Sequence, residues 1–199
     1  TVTVTVTGDT LYEAHETFFL NLTSPSNATI SDAQGIGTIT NDDGPPSLSI
    51  DDVSFVEGNP PGSAGAGTIH AAAAPDILFT FTVTLSAISG KDVTVNYSTA
   101  NGTATVADQD YTPASGTLTI PAGTASASVE VPVIGDTKFE ANETFFVNLS
   151  NAQNTTMSDS QGVGTILNDD STQMTVNLHW NMVSTPADPA DSSVSTLFP

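Results

Sequence analysis

The chain has 199 residues, no cysteine, 22 acidic residues against 2 basic ones, and a formal net charge of −20. Lys91 and Lys138 cannot build the basic face that phosphate neutralisation requires, which excludes nucleic-acid binding and adsorption to an anionic membrane. Disulfides, thiolate catalysis and cysteine-ligated zinc are excluded for want of cysteine, and no apolar run approaches the ~18 residues of a membrane-inserted helix.

The first residues carry neither an initiator Met nor a signal-peptide pattern, which reads as a segment of a longer precursor. Val2, Val4 and Val6 alternate with threonines, the period-2 pattern of a half-buried strand. Residues 8–43 then recur without a gap at 135–170, at a constant offset of 127, with 23 of 36 positions identical. Residues 1–43 are therefore the second half of one module, and 44–170 a complete module. The linker at 42–47 is short and stiffened by Pro45 and Pro46. Strands are expected at 48–50, 78–85, 93–99, 116–120, 125–133, 144–149 and 162–167, rich in Thr, Val and Phe between Gly, Pro, Asn and Asp. Residues 58–76 form a Gly/Ala/Pro-rich surface insertion. In 171–199, Met174, Val176, Leu178, Trp180 and Met182 alternate with polar residues, as in the start of a further β segment or an extended tail. Nothing repeats at 3.6 residues, so the class is all-β, an antiparallel sandwich of two sheets. One ring of each repeated pair, Phe18-Phe19 and Phe145-Phe146, is expected in a core.

Together these motifs resemble the Calx-beta domain family. The residues that carry the resemblance are Val56-Glu57-Gly58, Val95-Asn96-Tyr97, Thr99 to Ala104, Asp110-Tyr111 and Gly116-Thr117-Leu118. They continue with Val133 to Asp136, Phe139-Glu140, Asn142-Glu143, Asn148-Leu149, Gly164-Thr165-Ile166 and Asn168-Asp169-Asp170. The resemblance implies an immunoglobulin-like sandwich whose acidic loops at one end bind calcium. Carried over by motif, the metal candidates are Glu57, Asp110, Asp136, Glu140, Asp169 and Asp170. In the partial module they are Asp9, Glu13, Asp42 and Asp43.

Calcium takes six to eight oxygen ligands, which carboxylates from four segments can supply if the fold gathers them. The alternative is solvated turn residues, since Asp, Asn and Gly are ordinary turn formers. Catalysis has no support: His15, His70 and His179 are isolated, and no nucleophile elbow, P-loop or dinucleotide fingerprint occurs. Glu143 reads as a turn or capping residue. Seven N-x-S/T acceptors permit glycosylation without demanding it. The expected function is that of a non-catalytic, extracellular, calcium-binding repeat at the cell surface, structural or adhesive. Its partners would be neighbouring Calx-beta modules or identical subunits, with a glycan or protein ligand as a further option. Two alternatives stand beside it: a filament subunit completed by intermolecular strand addition, and a passive spacer in an adhesin without bound calcium.

Overall fold

A computed structural model describes residues 1–59 and 77–171. Most of the Gly/Ala/Pro insertion and the tail pattern after 171 lie outside the described residues. Eleven strands are present among those described: β1 (Glu16–Asn21), β2 (Gln34–Ile39), β3 (Ser47–Ile50), β4 (Val53–Val56), β5 (Ile77–Leu85), β6 (Val93–Asn101), β7 (Ser115–Ile120), β8 (Ser126–Val133), β9 (Glu143–Gln153), β10 (Thr156–Met157) and β11 (Gln161–Leu167).

The complete module is a sandwich of two sheets, ordered β10-β3-β5-β8 and β4-β11-β9-β6-β7. All pairings are antiparallel except β10 with β3 and β4 with β11. Both parallel contacts follow from a chain that changes sheets between β3 and β4. Two aspartates hold that crossing, one toward each sheet. Asp51 Oδ1 accepts from Thr82 N at 2.7 Å, and Asp52 Oδ1 accepts from Val163 N at 2.7 Å. The period-2 pattern of β5, β8 and β9 turns Phe79, Phe81, Val83, Val129, Val131, Val133, Phe145 and Val147 inward.

Phe145 is the hub of the core. Its ring stacks on Tyr111 at 4.6 Å between centroids and meets Phe79 at 5.7 Å and Phe81 at 5.9 Å. Gly164 lies beneath it, because a Cβ there would fall 2.5 Å from the ring. Among the described residues the hydrophobic core runs from Leu48 to Ile166, and residues 1–43 contribute nothing to it. The complete module therefore carries its own core.

The half-module is a β1–β2 hairpin with the register of its repeat: Phe18 faces Gly37 as Phe145 faces Gly164. Phe19 is 56% exposed, and a cleft of about 330 Å³ runs between Val2, Val4, Phe18, Leu20 and Ile36. The strand expected at Val2, Val4 and Val6 does not form a ladder. Its repeat, β8, pairs with β5, and residues 1–43 include no counterpart of β5. Alternation marks a strand's faces; the ladder needs a neighbour.

Candidate metal centre

Four segments end at the same pole of the sandwich. β4 and β11 run parallel to it, so Glu57 leaves β4 beside Asn168, Asp169 and Asp170 leaving β11. Their proximity is set by Glu57 N donating to the Leu167 carbonyl at 3.1 Å. The β8–β9 connection brings Asp136, Glu140 and Glu143. Gly135 lets that connection pass close to the chain after β4, since a Cβ there would lie 2.6 Å from the Glu57 carbonyl oxygen. The long β6–β7 loop brings Asp110. It is pinned by Asp110 Oδ2 accepting from Thr105 N at 2.6 Å and by the Asp110 carbonyl accepting from Ile134 N at 2.9 Å.

The carboxylates sort into two groups whose oxygens lie within 4.8 Å of one another: Glu57 with Asp136 and Asp170, and Asp110 with Glu140 and Glu143. Asp169 belongs to neither group, and its charge raises Glu57 and Asp170 from beside them. Burial pushes Glu57 up to about 7, reinforced by Asp136, Asp170, Asp169 and Glu140. Glu143 is also raised to about 7, by burial and then by Asp110, Glu140 and Asp108. Asp170 is raised by burial and by Asp169 and Asp136. Two unit charges ~4 Å apart repel by about 4 kcal/mol at an effective dielectric of ~20, so each triad opposes its own ionisation.

A cation would reverse that opposition, and the donor set fits one. Asp170 Oδ2 is buried without a hydrogen-bond partner. Each triad offers three carboxylates. This all-oxygen donor set suits a hard cation and gives no preference to a soft one. Lys138 already supplies one positive charge, as its ammonium pairs with the half-buried Glu140 carboxylate.

Of the residues proposed from sequence, Glu57, Asp136 and Asp170 come together, as do Asp110 and Glu140. Glu143, read from sequence as a turn or capping residue, joins the second group. The repeat carried a signal for it, because the adjacent position varies between His15 and Asn142 while Glu16 and Glu143 are identical. In the half-module, Asp9, Glu13, Asp42 and Asp43 line one cleft of about 190 Å³ with Glu16 and Asn41. Burial and the charges of Glu16, Asp9 and Asp43 raise Glu13. Among the described residues these four form no ligating cluster. Residues 1–43 contain no counterparts of Glu57 and Asp110, which in the complete module come from its first half.

The Calx-beta domain model matches residues 1–43 and 74–177. No curated protein matches the chain. Among solved structures, the chain is similar to the apo form of the Calx CBD1 domain, with 22% identity and a TM-score of 0.49, over 63% of this chain and 99% of that one. It is similar to the calcium binding domain CBD12 of CALX1.1 at 22% identity and 0.49, over 63% of this chain and 47% of that one. The Calx CBD2 domain follows at 15% and 0.43, over 60% and 84%.

Proposed function

Because the chain belongs to the Calx-beta family, we propose that it is a non-catalytic calcium-binding repeat of an extracellular surface protein, stiffened at its module ends by the cation. The observation that carries this reading is the pair of carboxylate triads at one pole, with the Asp170 Oδ2 atom buried and partnerless. Glu57, Asp136 and Asp170 would hold one ion; Asp110, Glu140 and Glu143 would hold a second. The bound cation would supply the positive charge that lets all six carboxylates ionise together and ties four loops to one another. Placement at the cell surface rests on the tandem repeat and on a net charge of −20, which keeps neighbouring chains soluble and apart.

Calorimetric titration with calcium tests this directly. A ligand that binds only the folded state stabilises it by about 2.7 kcal/mol at 100 times Kd, and extracellular modules bind at ~10⁻⁴–10⁻³ M. Millimolar calcium is expected to give heat of binding and a raised Tm; a flat titration with an unchanged Tm would leave a passive spacer.

Lys138 competes for Glu140 as a tethered counter-ion. Leu11 occupies the equivalent position in the repeat. Lys138→Leu is expected to tighten calcium binding at the second triad several-fold, since it frees one carboxylate. Weaker binding in that variant would assign the lysine a structural role instead. Gly135→Ala should act on the first triad, because the added methyl drives the 135–136 and 57–58 backbones apart. Its expected signature is loss of one binding step in the titration with the β circular-dichroism spectrum retained.

A further inference from the structure

The loop that carries Asp136 and Glu140 exists twice, and among the described residues only one copy is covered. In the half-module, Leu11 N donates to Asp9 Oδ1 at 2.8 Å, and Lys138 N does so to Asp136 Oδ1 at 2.6 Å in the complete module. Glu13 N donates to Asn41 Oδ1 at 3.2 Å, and Glu140 N to Asn168 Oδ1 at 3.0 Å. The Asn41 and Asn168 amides each reach the carbonyl two residues on, at 2.9 Å. Asn41 N donates to His15 Nδ1 at 2.9 Å where Asn168 N donates to Asn142 Oδ1 at 3.2 Å. Four matched hydrogen bonds fix one loop shape, and that shape presents Tyr12 in one copy and Phe139 in the other.

Tyr12 is engaged. Its carbonyl accepts from Gly90 N at 2.9 Å, and a parallel bridge pairs it with Ser89. The Lys91 ammonium sits 4.0 Å from the centre of its ring. Gly90 is required at this contact, because a Cβ there would meet Glu13 Cβ at 2.9 Å and the Tyr12 carbonyl at 3.2 Å. The β5–β6 turn of the complete module is thus keyed to the loop before it. Among the described residues Phe139, 60% exposed, has no such cover, and its carbonyl accepts no hydrogen bond.

We propose that the loop of Lys138, Phe139 and Glu140 is a docking edge for the β5–β6 turn of another Calx-beta module, one with glycine at the position of Gly90 and lysine at that of Lys91. The occupant is specified by the joint already present: a backbone N–H for the Phe139 carbonyl, no side chain where the two loops touch, and an ammonium over the aromatic face. Successive modules then meet in one fixed orientation. A second copy of the 199-residue chain does not fit, since Tyr12 already covers its turn. This inference rests on reading the chain as a tandem repeat, and it is independent of whether the acidic pole binds a cation.

The test uses isotope-labelled full chain titrated with unlabelled residues 44–171, whose core is self-contained and whose Gly90 turn is uncovered. A contact this small, made without a linker that would raise its effective concentration, is expected to be weak. The expected result is amide shifts confined to Lys138, Phe139, Glu140 and their neighbours. They should vanish with Phe139→Ala in the full chain or Gly90→Val in the fragment, and should be absent when the titrant is the full chain. No shift at these amides, or shifts that survive both substitutions, would overturn the proposal. Repeating the titration in chelator and in calcium separates the two readings. Docking with no heat of calcium binding rejects the cation alone, and calcium heat without docking rejects the joint alone.

Discussion

Phe145→Ala is expected to destabilise the complete module by about 3–5 kcal/mol, the range for emptying a buried aromatic site. The ring is fully buried, stacks on Tyr111 and touches both Phe79 and Phe81 from the opposite sheet. Its removal leaves a cavity between two sheets whose backbones are fixed by their ladders, so collapse is restricted. Phe18→Ala, the same substitution at the repeated position, is expected to cost under about 1 kcal/mol, as is usual away from a packed core. Phe18 lies over Gly37 as Phe145 lies over Gly164, but the sheet that would close over it is not among residues 1–43. Urea denaturation followed by circular dichroism compares the two variants. Equal losses would mean that residues 1–43 carry a core of their own.

The second expectation concerns pH and its reversal by calcium. Glu57 and Glu143 ionise near 4.5 when unfolded and near 7 when folded. Between those values the folded protein retains protons that the unfolded chain has released. Stability in chelator therefore falls as pH rises from about 4.5 to 7, and flattens above. The loss is of order 1 kcal/mol per group once solvent screening of these part-exposed carboxylates is allowed for. Bound calcium favours the ionised forms and competes with protons, so in millimolar calcium stability should rise over the same interval. Thermal melts at pH 5 and pH 7.5, with and without calcium, read both slopes. Glu57→Gln with Glu143→Gln should flatten the chelator slope. If the slope survives that double substitution, general repulsion in a chain of net charge −20 is its source.

Much of this arrangement was legible in the sequence because it depends on local pattern. The alternation in 78–85 and 93–99, and the repeated Phe pair, gave strands whose inward rows are those buried in β5, β6 and β9. The polar end was legible through the Calx-beta resemblance, which implied acidic loops gathered at one end; the pairings of β4, β9 and β11 that bring them there were not read from the sequence. What escaped was non-local. β4 is four residues long and pairs in parallel with β11 across more than a hundred positions, so no local periodicity marks it. β10 has two residues. The division of the carboxylates into two triads, and the inclusion of Glu143, depend on side-chain distances that spacing does not encode. Residues 1–7 show the converse, a strand pattern without a strand, because a ladder is a property of two segments.

The described chain holds two halves of the later kind, 1–43 and the part that repeats it, and one half of the earlier kind. Exchange of halves among identical copies conserves both numbers. In a ring or filament of n such chains closed only by trading described segments, n faces like that of Phe18 and Leu20 stay open, whatever the order of the trade. Swapping can relocate the shortfall along the assembly but cannot reduce it.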